Sequence, residues 1–307
     1  MIRIFKISKP EPIEYERRKD FKGLIKLLNY KDDPYIRWKS AEILGKYKIK
    51  EAVPHLIKRL EDPISEVKIK SIEALGNIGD PVCIEKLIEK LEDEDWRVRY
   101  VICRSLSKFK DKKVCDKLLE LINDKNKEVQ KAAIEAIGEI GIEDNEVFEK
   151  LLEIVKTKPA EMRIIIAETL GKISRNYGKR LVNLLEKTEN KWIKWVIIKT
   201  LGDIGFYESG PILIKNLEDP NWEIREISAE SLGKIKYKDG IDKLVQLLND
   251  KEWSVRKKAV ESLGKLGDKR ILEILYEKEK EEEVNDVKIK IREVIQDLEK
   301  NVKRREI

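Results

Sequence analysis

The chain has 307 residues, 65 of them Lys or Arg and 59 of them Asp or Glu, so its net charge is +6. The charged fraction of 40% exceeds the roughly 25% of an average soluble domain, and it is typical of thermophilic proteins, in which ion-pair networks stabilise the fold. The single His argues against a His-rich metal centre, and three Cys without a C-x-x-C pair argue against a zinc ribbon or a disulfide framework. We therefore expect reduced thiols in a cytoplasmic protein.

The N-terminal segment, residues 1–20, is charged and contains Pro10 and Pro12. It lacks the apolar core of a signal peptide. No apolar run in the chain approaches the roughly 18 residues that would span a bilayer. We therefore expect no membrane association.

A repeat dominates the rest of the chain, from about residue 32 to residue 277. A small residue preceded by Leu or Ile recurs every 31 residues, with a single interval of 33, and it defines repeats one to eight. The eight pairs are Leu44-Gly45, Leu75-Gly76, Leu106-Ser107, Ile137-Gly138, Leu170-Gly171, Leu201-Gly202, Leu232-Gly233 and Leu263-Gly264. The two additional residues of the long interval lie between Ile140 and Glu146, where we expect a longer loop.

Each repeat predicts two helices. In repeat seven, Asp219 is a favourable N-cap and Pro220 suits the first helical position. The first helix of that repeat has one apolar face, and the second helix of repeat one has an apolar stripe. These positions are Ile224, Ser228, Ala229 and Leu232 in the first helix, and Val53, Leu56, Ile57 and Leu60 in the second.

Glycines mark the end of most first helices. The Gly of each pair allows a neighbouring helix to approach closely. A second Gly, three residues later, suits a left-handed C-terminal position. It occurs as Gly79, Gly141, Gly205 and Gly267.

The flanking segments extend the pattern. Residues 21–30 are typical of an isolated second helix, and residues 287–299 of a final first helix with Gln296 in place of Gly. We interpret the charged stretch around Glu281, Glu282 and Glu283 as a linker before a polar capping helix. The predicted organisation is an N-terminal segment at 1–20, a repeat solenoid at 21–277, and a capping helix with a charged tail at 278–307.

These features predict an all-α solenoid of about eighteen helices, stacked as a right-handed superhelix around one continuous core. The pattern Asp-Pro-x-x-x-Val-Arg-x-x-Ala-x-x-x-Leu-Gly resembles the short HEAT repeats of the phycobilin-lyase type, most closely at residues 219–233 and 250–264. The resemblance covers roughly residues 20–300. It implies a HEAT-repeat fold whose first helices line a concave surface. Relatives include chromophore lyases, the deoxyhypusine hydroxylases, DNA glycosylases and many scaffolds.

The enzymatic relatives fit the residues poorly. The hydroxylases hold iron with His-Glu pairs, whereas this chain has only His55, followed by Leu56. No residue set marks phycobilin-lyase chemistry. Glycosylases use Trp, Arg and one carboxylate, but carboxylates here recur in every repeat. We predict no catalytic residue, metal or cofactor, while nucleic-acid binding and an enzyme that works without His remain alternatives.

Two positions are nearly constant among the repeats. A basic residue lies eight positions before the Gly: Arg37, Lys68, Arg99, Arg163, Lys194, Arg225 and Arg256, with Gln130 in repeat four. An acidic residue lies fourteen positions before it: Asp62, Asp93, Asp124, Asp219 and Asp250. We predict that they form a structural ladder of ion pairs. A basic stripe that binds phosphate is the alternative.

Other positions vary and indicate function. Positions seven and six before the Gly, which we expect to lie off the core face, are both apolar only in repeats three, five and six. Trp222 and Trp253 begin first helices, and we interpret them as packing at the junctions of repeats. Trp192 and Trp195 of repeat six lie within four residues of each other, and one helix does not require two Trp side chains so close together for its own core. The candidate partner-binding residues are Trp96, Arg97, Tyr100, Arg104, Ile164, Trp192, Trp195 and Lys199.

These residues predict a non-enzymatic scaffold that binds a helix or extended segment of another protein in its concave groove. Aromatic side chains would anchor the segment, because Trp, Tyr and Arg dominate binding hot spots. Arg97, Arg104 and Lys199 would select an acidic rim. The sequence leaves the partner and the oligomeric state open.

Overall fold

The computed structural model describes residues 9–173 and 177–303, with side chains up to residue 300. Within these ranges every regular element is a helix and no strand occurs, so the predicted all-α class is confirmed. The chain forms two compact units, an N-terminal unit that ends at Ile142 and a C-terminal unit that begins at Glu143. The sequence pattern alone predicted one uninterrupted run of repeats.

The N-terminal unit contains the helices α1 (Pro12–Arg17), α2 (Phe21–Leu27), α3 (Pro34–Lys46), α4 (Val53–Lys58), α5 (Ser65–Ile78), α6 (Ile84–Glu89), α7 (Trp96–Leu106), α8 (Lys112–Leu121) and α9 (Lys127–Ile140). The C-terminal unit contains α10 (Asn145–Ile154), α11 (Ala160–Ile173), α12 (Gly178–Lys187), α13 (Lys191–Asp203), α14 (Gly210–Asn216), α15 (Trp222–Ile235), α16 (Ile241–Gln246), α17 (Trp253–Leu266), α18 (Leu272–Glu281) and α19 (Asn285–Lys303). Short 3-10 turns lie at Lys50–Ala52, Arg59–Glu61, Pro81–Cys83, Tyr207–Ser209, Lys238–Gly240, Leu247–Asn249 and Lys269–Ile271.

First helices pack side by side in each unit. In the N-terminal unit α3 packs on α5, α5 on α7, and α7 on α9. In the C-terminal unit the order is α11, α13, α15, α17 and α19, and the second helices α12, α14, α16 and α18 cover one side. The Leu before each Gly is fully buried in this layer, as at Leu75 and Leu232. Each unit is therefore a two-layer stack with its core between the layers.

In most repeats with a recorded contact, the Gly of the pair permits the close packing of first helices, as predicted, and Gly171 is the exception. A methyl group added to Gly45 would lie 2.6 Å from Cα of Ala74, and one on Gly233 would lie 2.8 Å from Cβ of Ser262. The facing residues are small, and some hydroxyls bridge the helices; Ser231 Oγ donates to the carbonyl of Ile198 at 3.0 Å.

The second Gly of the pattern adopts the predicted left-handed conformation. The φ angles are 73°, 66°, 71° and 68° at Gly79, Gly141, Gly205 and Gly267. Such a residue ends the helix without the steric penalty that a Cβ would bring. This prediction is confirmed.

The predicted N-cap of repeat seven is wrong. Helix α15 begins at Trp222 after Asn221, so Pro220 lies outside it. The Asp219 carboxylate instead accepts the backbone N–H of Asn221 at 2.9 Å. The predicted arrangement occurs in α3, where Asp33 caps the helix and Pro34 begins it.

The additional residues of the long repeat lie in a loop, as predicted. Asp80 directly follows Gly79 and accepts the N–H of Val82. In the long repeat the equivalent acid is Asp144, which accepts the N–H of Glu146. Residues 142 and 143 are therefore the insertion, and the boundary between the two compact units falls between them.

Both ends of the chain hold more helix than predicted. Helix α1 lies in the segment before residue 20 and packs on α2 and α3. The C-terminal acidic stretch is a linker only at residues 282–284, because α18 continues to Glu281 and α19 begins at Asn285, and Glu282 within this connection is buried. Helix α19 packs on α17 and α18, which confirms the predicted final first helix.

Candidate functional site

The ladder predicted from the sequence is present in both units. In its complete form, an Arg on a first helix donates Nε and Nη2 to the two oxygens of one carboxylate about 25 residues later. The pairs are Arg37–Asp62 (2.8 and 3.0 Å), Arg99–Asp124 (2.7 and 2.8 Å), Arg225–Asp250 (2.6 and 2.8 Å) and Arg256–Glu282 (2.8 and 2.7 Å). The remaining nitrogen, Nη1, donates to backbone carbonyls five to seven residues earlier. This bidentate geometry fixes both groups, so the ladder is structural.

Lysines form weaker versions of the same pairs. Lys68 Nζ lies 2.5 Å from Asp93, and Lys194 Nζ lies 3.3 Å from Asp219. Gln130, the predicted exception, donates its amide to the backbone carbonyl of Asp124.

The ladder has a gap at Arg163 on α11. Its Nη1 donates to the carbonyl of Lys158, five residues earlier, at 2.8 Å, as in the paired arginines. We call the Nε and Nη2 groups of a ladder Arg its fork. The residue that follows it by 25 positions is Thr188, whose hydroxyl accepts the N–H of Asn190. Among the residues that the structure describes, no carboxylate pairs with Arg163, and its Nε and Nη2 meet no acceptor.

The electrostatic consequence of the gap is visible at Arg163. Burial lowers its pKa, whereas the bonds to Asp124 and Asp250 raise the pKa of Arg99 and Arg225. One face of the Arg163 guanidinium is covered by the Trp192 ring, 3.5 Å from Cζ to the ring centroid. Burial outweighs the through-space attraction of Glu223, and this side chain, 9% exposed, is held in the ladder pose without a bonded carboxylate among the described residues.

Predicted binding residues of repeats five and six surround this gap. Ile164, next to Arg163, is 40% exposed, and the Trp192 and Trp195 side chains of α13 are partly exposed. Lys191 Nζ lies 4.1 Å from the centroid of the Trp192 ring. We name the exposed side of these two helices, with Ile164, Trp192 and Trp195, the α11–α13 surface. Val196, next to Trp195, lies six positions before the Gly of repeat six. We expected this position to lie off the core face, but Val196 is fully buried, so the expectation is wrong in this repeat.

A charged cleft adjoins the α11–α13 surface on the same two helices. Its volume is about 740 Å³. Lys199, a predicted binding residue, lies in its wall and pairs with Asp203 at 2.8 Å, and Lys234 binds the same carboxylate. The lining residues are Glu168, Gly171, Lys172, Lys199, Asp203 and Ile204. The cleft therefore offers charges of both signs rather than a purely basic rim.

The other predicted residues lie on α7 of the N-terminal unit. Trp96 begins the helix and is 40% exposed. Arg97 folds back onto Asp95, with Nη2 2.7 Å from Oδ2, and this bond lowers the pKa of Asp95. Arg104 Nη1 donates to the Tyr100 hydroxyl, one helical turn earlier, at 3.4 Å.

Tyr100 and Arg104 line a second cleft, of about 490 Å³. Sequence reasoning missed Lys108 on its wall, where burial and the nearby Arg104 charge lower the pKa of the ammonium. Ser107 donates to Glu139 on the other wall. The eight predicted residues thus form two groups, one in each compact unit.

Two further Trp residues, for which we predicted packing at the junctions of repeats, are exposed in part. Trp222 and Trp253 begin α15 and α17 and are 40% and 46% exposed. Packing at the repeat junction therefore covers only part of each ring.

Sequence reasoning also missed Thr188 and Glu282. Both follow a ladder Arg by 25 or 26 residues, so the spacing of the other pairs was the signal that could have found them. Glu282 lay outside the eight defined repeats, and Thr188 is not an ionisable residue.

In the described part of the chain, the side chains suited to covalent or metal chemistry are buried or are not grouped to hold a metal ion. Burial raises the pKa of the Cys83 thiol to about 11 and that of Cys103 to about 12. His55 is half-buried. No three His, Cys, Asp or Glu side chains of the described ranges are placed to hold a metal ion. None of the helices in those ranges is long and apolar enough to cross a bilayer.

Comparison with known families agrees with this architecture. The family model for HEAT repeats matches residues 21–87, 84–171, 178–248 and 210–296, which together span most of the chain. The chain belongs to the HEAT-repeat family. The resemblance predicted from its sequence is thereby confirmed. No curated protein is significantly similar to this HEAT-repeat chain in sequence.

Solved structures share the solenoid fold at low sequence identity. The karyopherin Kap121p, bound to the extreme C-terminus of the protein phosphatase Cdc14p, is 13% identical over 95% of this chain, with a TM-score of 0.68. Kap95p, in a structure with RanGDP, is 10% identical over 94% of this chain, with a TM-score of 0.64. The chain spans 40% and 46% of those two proteins. The phycocyanin lyase CpcE–CpcF of Nostoc sp. PCC7120 is 20% identical over 97% of this chain and 99% of its own, with a TM-score of 0.36.

Proposed function

We propose that this HEAT-repeat protein is a non-enzymatic scaffold that binds a segment of another protein, with its main anchor on the α11–α13 surface. The observation that carries the proposal is the partly exposed pair Trp192 and Trp195, beside the exposed Ile164. Binding hot spots are enriched in Trp, Tyr and Arg, so partly exposed Trp side chains are suited to anchor a partner.

Packing of the solenoid does not require these aromatic residues. The positions of Trp192 and Trp195 are taken by Glu223 and Glu226 in repeat seven. In repeat eight they are taken by Ser254 and Lys257, and α15 and α17 still pack in the same layer. Apolar side chains at positions that tolerate charge indicate a role outside the fold.

The charges near the α11–α13 surface favour an acidic segment. Lys191 Nζ lies 3.4 Å from Glu223, and Lys194 pairs with Asp219 at 3.3 Å, so both ammonium groups are partly balanced. Arg163 is not. An acidic partner would therefore gain a specific contact beside an apolar anchor, and charges at the rim would set its orientation.

Peptide display on the purified protein tests the proposal. A random library of twelve-residue peptides is selected on the wild type, and the affinity of the strongest peptide is measured by fluorescence anisotropy. Trp195→Lys, which copies Lys257 of repeat eight, should weaken binding at least tenfold with unchanged far-UV circular dichroism. Trp253→Ser, which copies Ser65 at the start of α5, is the matched control and should change the affinity less than twofold.

Two results would contradict the proposal. If Trp195→Lys unfolds and the milder variant Trp195→Tyr keeps the affinity for the peptide, the Trp195 ring serves packing and not binding. The nucleic-acid alternative would be favoured if no peptide is selected and if a twelve-nucleotide DNA binds with an affinity that falls steeply as salt rises.

A further inference from the structure

Arg163 differs from the fully paired ladder arginines in that no carboxylate of the described residues bonds to it. The shared part of the geometry is intact, since Nη1 donates to a backbone carbonyl as in Arg99 and Arg225. In those two residues Nε and Nη2 bind one carboxylate at 2.6–2.8 Å. The corresponding nitrogens of Arg163 have no acceptor among the described residues.

We propose that the Nε and Nη2 groups of Arg163 bind the carboxylate of an Asp or Glu side chain of the partner segment. The partner would then supply in trans the acid that repeats one, three, seven and eight carry within the chain. This inference rests on the proposed function, and it names the chemistry that the bound segment must present.

The surroundings of Arg163 favour this occupant over a solvated guanidinium. The side chain is nine-tenths buried, so few waters can solvate its charge, and Glu223 acts on it only through space. Stacking on Trp192 fixes the plane of the fork before a ligand arrives, which reduces the entropy lost on binding. Thr188 is shorter than Asp and uncharged, and its hydroxyl already accepts the N–H of Asn190.

The position of the fork also links the acid to the apolar anchor. Arg163 directly precedes Ile164, and its guanidinium touches the ring of Trp192. A segment that covers the α11–α13 surface would therefore place an acidic side chain on the fork and an apolar one beside it. The expected motif is one Asp or Glu within a few residues of a large apolar residue.

A substitution within the chain tests whether the fork is open. Thr188→Asp places a carboxylate where the ladder has one, and Thr188→Asn is a control of the same size without charge. We expect Thr188→Asp to melt about 2 °C or more above Thr188→Asn at pH 7. The difference should vanish when Arg163 is replaced by Gln, the residue that repeat four carries at this position.

The same variants test whether the partner fills the fork. For the strongest peptide from the library, Thr188→Asp should weaken binding at least tenfold, because the internal carboxylate competes, and Thr188→Asn should not. Replacing the acidic residue of the peptide by its amide should lower the affinity for the wild type at least tenfold. The same change should lower the affinity for Thr188→Asp less than twofold.

The failures of the two proposals are distinguishable. A peptide that loses affinity for Trp195→Lys but binds Thr188→Asp as well as the wild type would leave the scaffold standing and overturn the assignment of Arg163. Equal melting of Thr188→Asp and Thr188→Asn would also overturn it. If a twelve-nucleotide DNA competes for the fork and the acidic residue of the peptide has no effect on affinity, the ligand of the fork is a phosphate and not a carboxylate.

Discussion

The ladder makes a quantitative prediction at Asp250. Replacing Asp250 by Thr reproduces in repeat seven the gap that repeat five carries naturally at Arg163. The Asp250 carboxylate accepts two bonds from Arg225 and the N–H of Glu252 at 2.9 Å. A Thr hydroxyl would keep the backbone bond, as Thr188 does, so the substitution removes mainly the ion pair.

The size of the effect follows from burial. The side chains of Arg225 and Asp250 are only 10% and 9% exposed, so this pair differs from surface ion pairs worth about 0–1 kcal/mol. Removing one partner of a buried pair leaves the other charge uncompensated, at about 3–5 kcal/mol. Because the edge of this pair reaches solvent, we expect Asp250→Thr to lower the free energy of unfolding by about 2–4 kcal/mol.

The effect should depend on pH with a defined sign. Burial by itself raises the pKa of Asp250, but its bonds to Arg225 and Glu252 outweigh burial, so the pKa lies below its ordinary value. A carboxyl whose folded-state pKa is lowered stabilises the protein above its unfolded pKa of about 3.9, and this contribution is lost as the pH falls through the folded value. The difference between wild type and Asp250→Thr should be full at pH 7 and shrink below about pH 4.

Urea unfolding followed by far-UV circular dichroism measures this difference. Hydrogen exchange of α15 and α17 shows whether the loss is local, since solenoid repeats need not unfold together. A change below about 0.5 kcal/mol at pH 7 would show that the pair behaves as a surface ion pair, and the structural interpretation of the ladder would fail.

Two further predictions concern packing and the C-terminal helix. Gly45→Ala should lower stability by about 1–3 kcal/mol, because the new methyl group would lie 2.6 Å from the backbone of the next first helix. In the control, Gly171→Ala, the nearest atom is 3.7 Å away, so the substitution should be neutral or stabilising, and the urea midpoints of both variants check this. Glu282→Gln should weaken the bond to Arg256 and speed hydrogen exchange in α19 relative to α13; unchanged exchange in α19 would show that Glu282 does not help to hold it.

The fold was predictable because each repeat states the same pattern again. Helical periodicity, the close-approach Gly and the left-handed Gly all act within a few residues or between adjacent repeats, so spacing alone reveals them. The N-cap at Asp219 was misplaced for a physical reason. Its carboxylate can cap a helix or pair with a distant Lys, and the sequence does not show which of these competing bonds forms.

The candidate site was only partly predictable. Exposed Trp and Ile side chains can be inferred when neighbouring repeats carry charge at the same positions, as with Trp195 and Lys257. The pairing of Lys199 with Asp203, and of Arg97 with Asp95, depends on side-chain directions that spacing leaves open. Spacing could not show that no carboxylate of the described residues bonds to Arg163, because an acid elsewhere in the chain could have taken the place of Thr188.

The most direct test of the proposed function is a hydrogen-exchange footprint of the strongest selected peptide on the wild-type protein. We predict that exchange slows in α11 and α13, and that this protection disappears in Trp195→Lys but persists in Trp253→Ser. Protection confined to helices other than α11 and α13, or protection that survives in Trp195→Lys, would contradict the claim that this surface is the anchor for a partner.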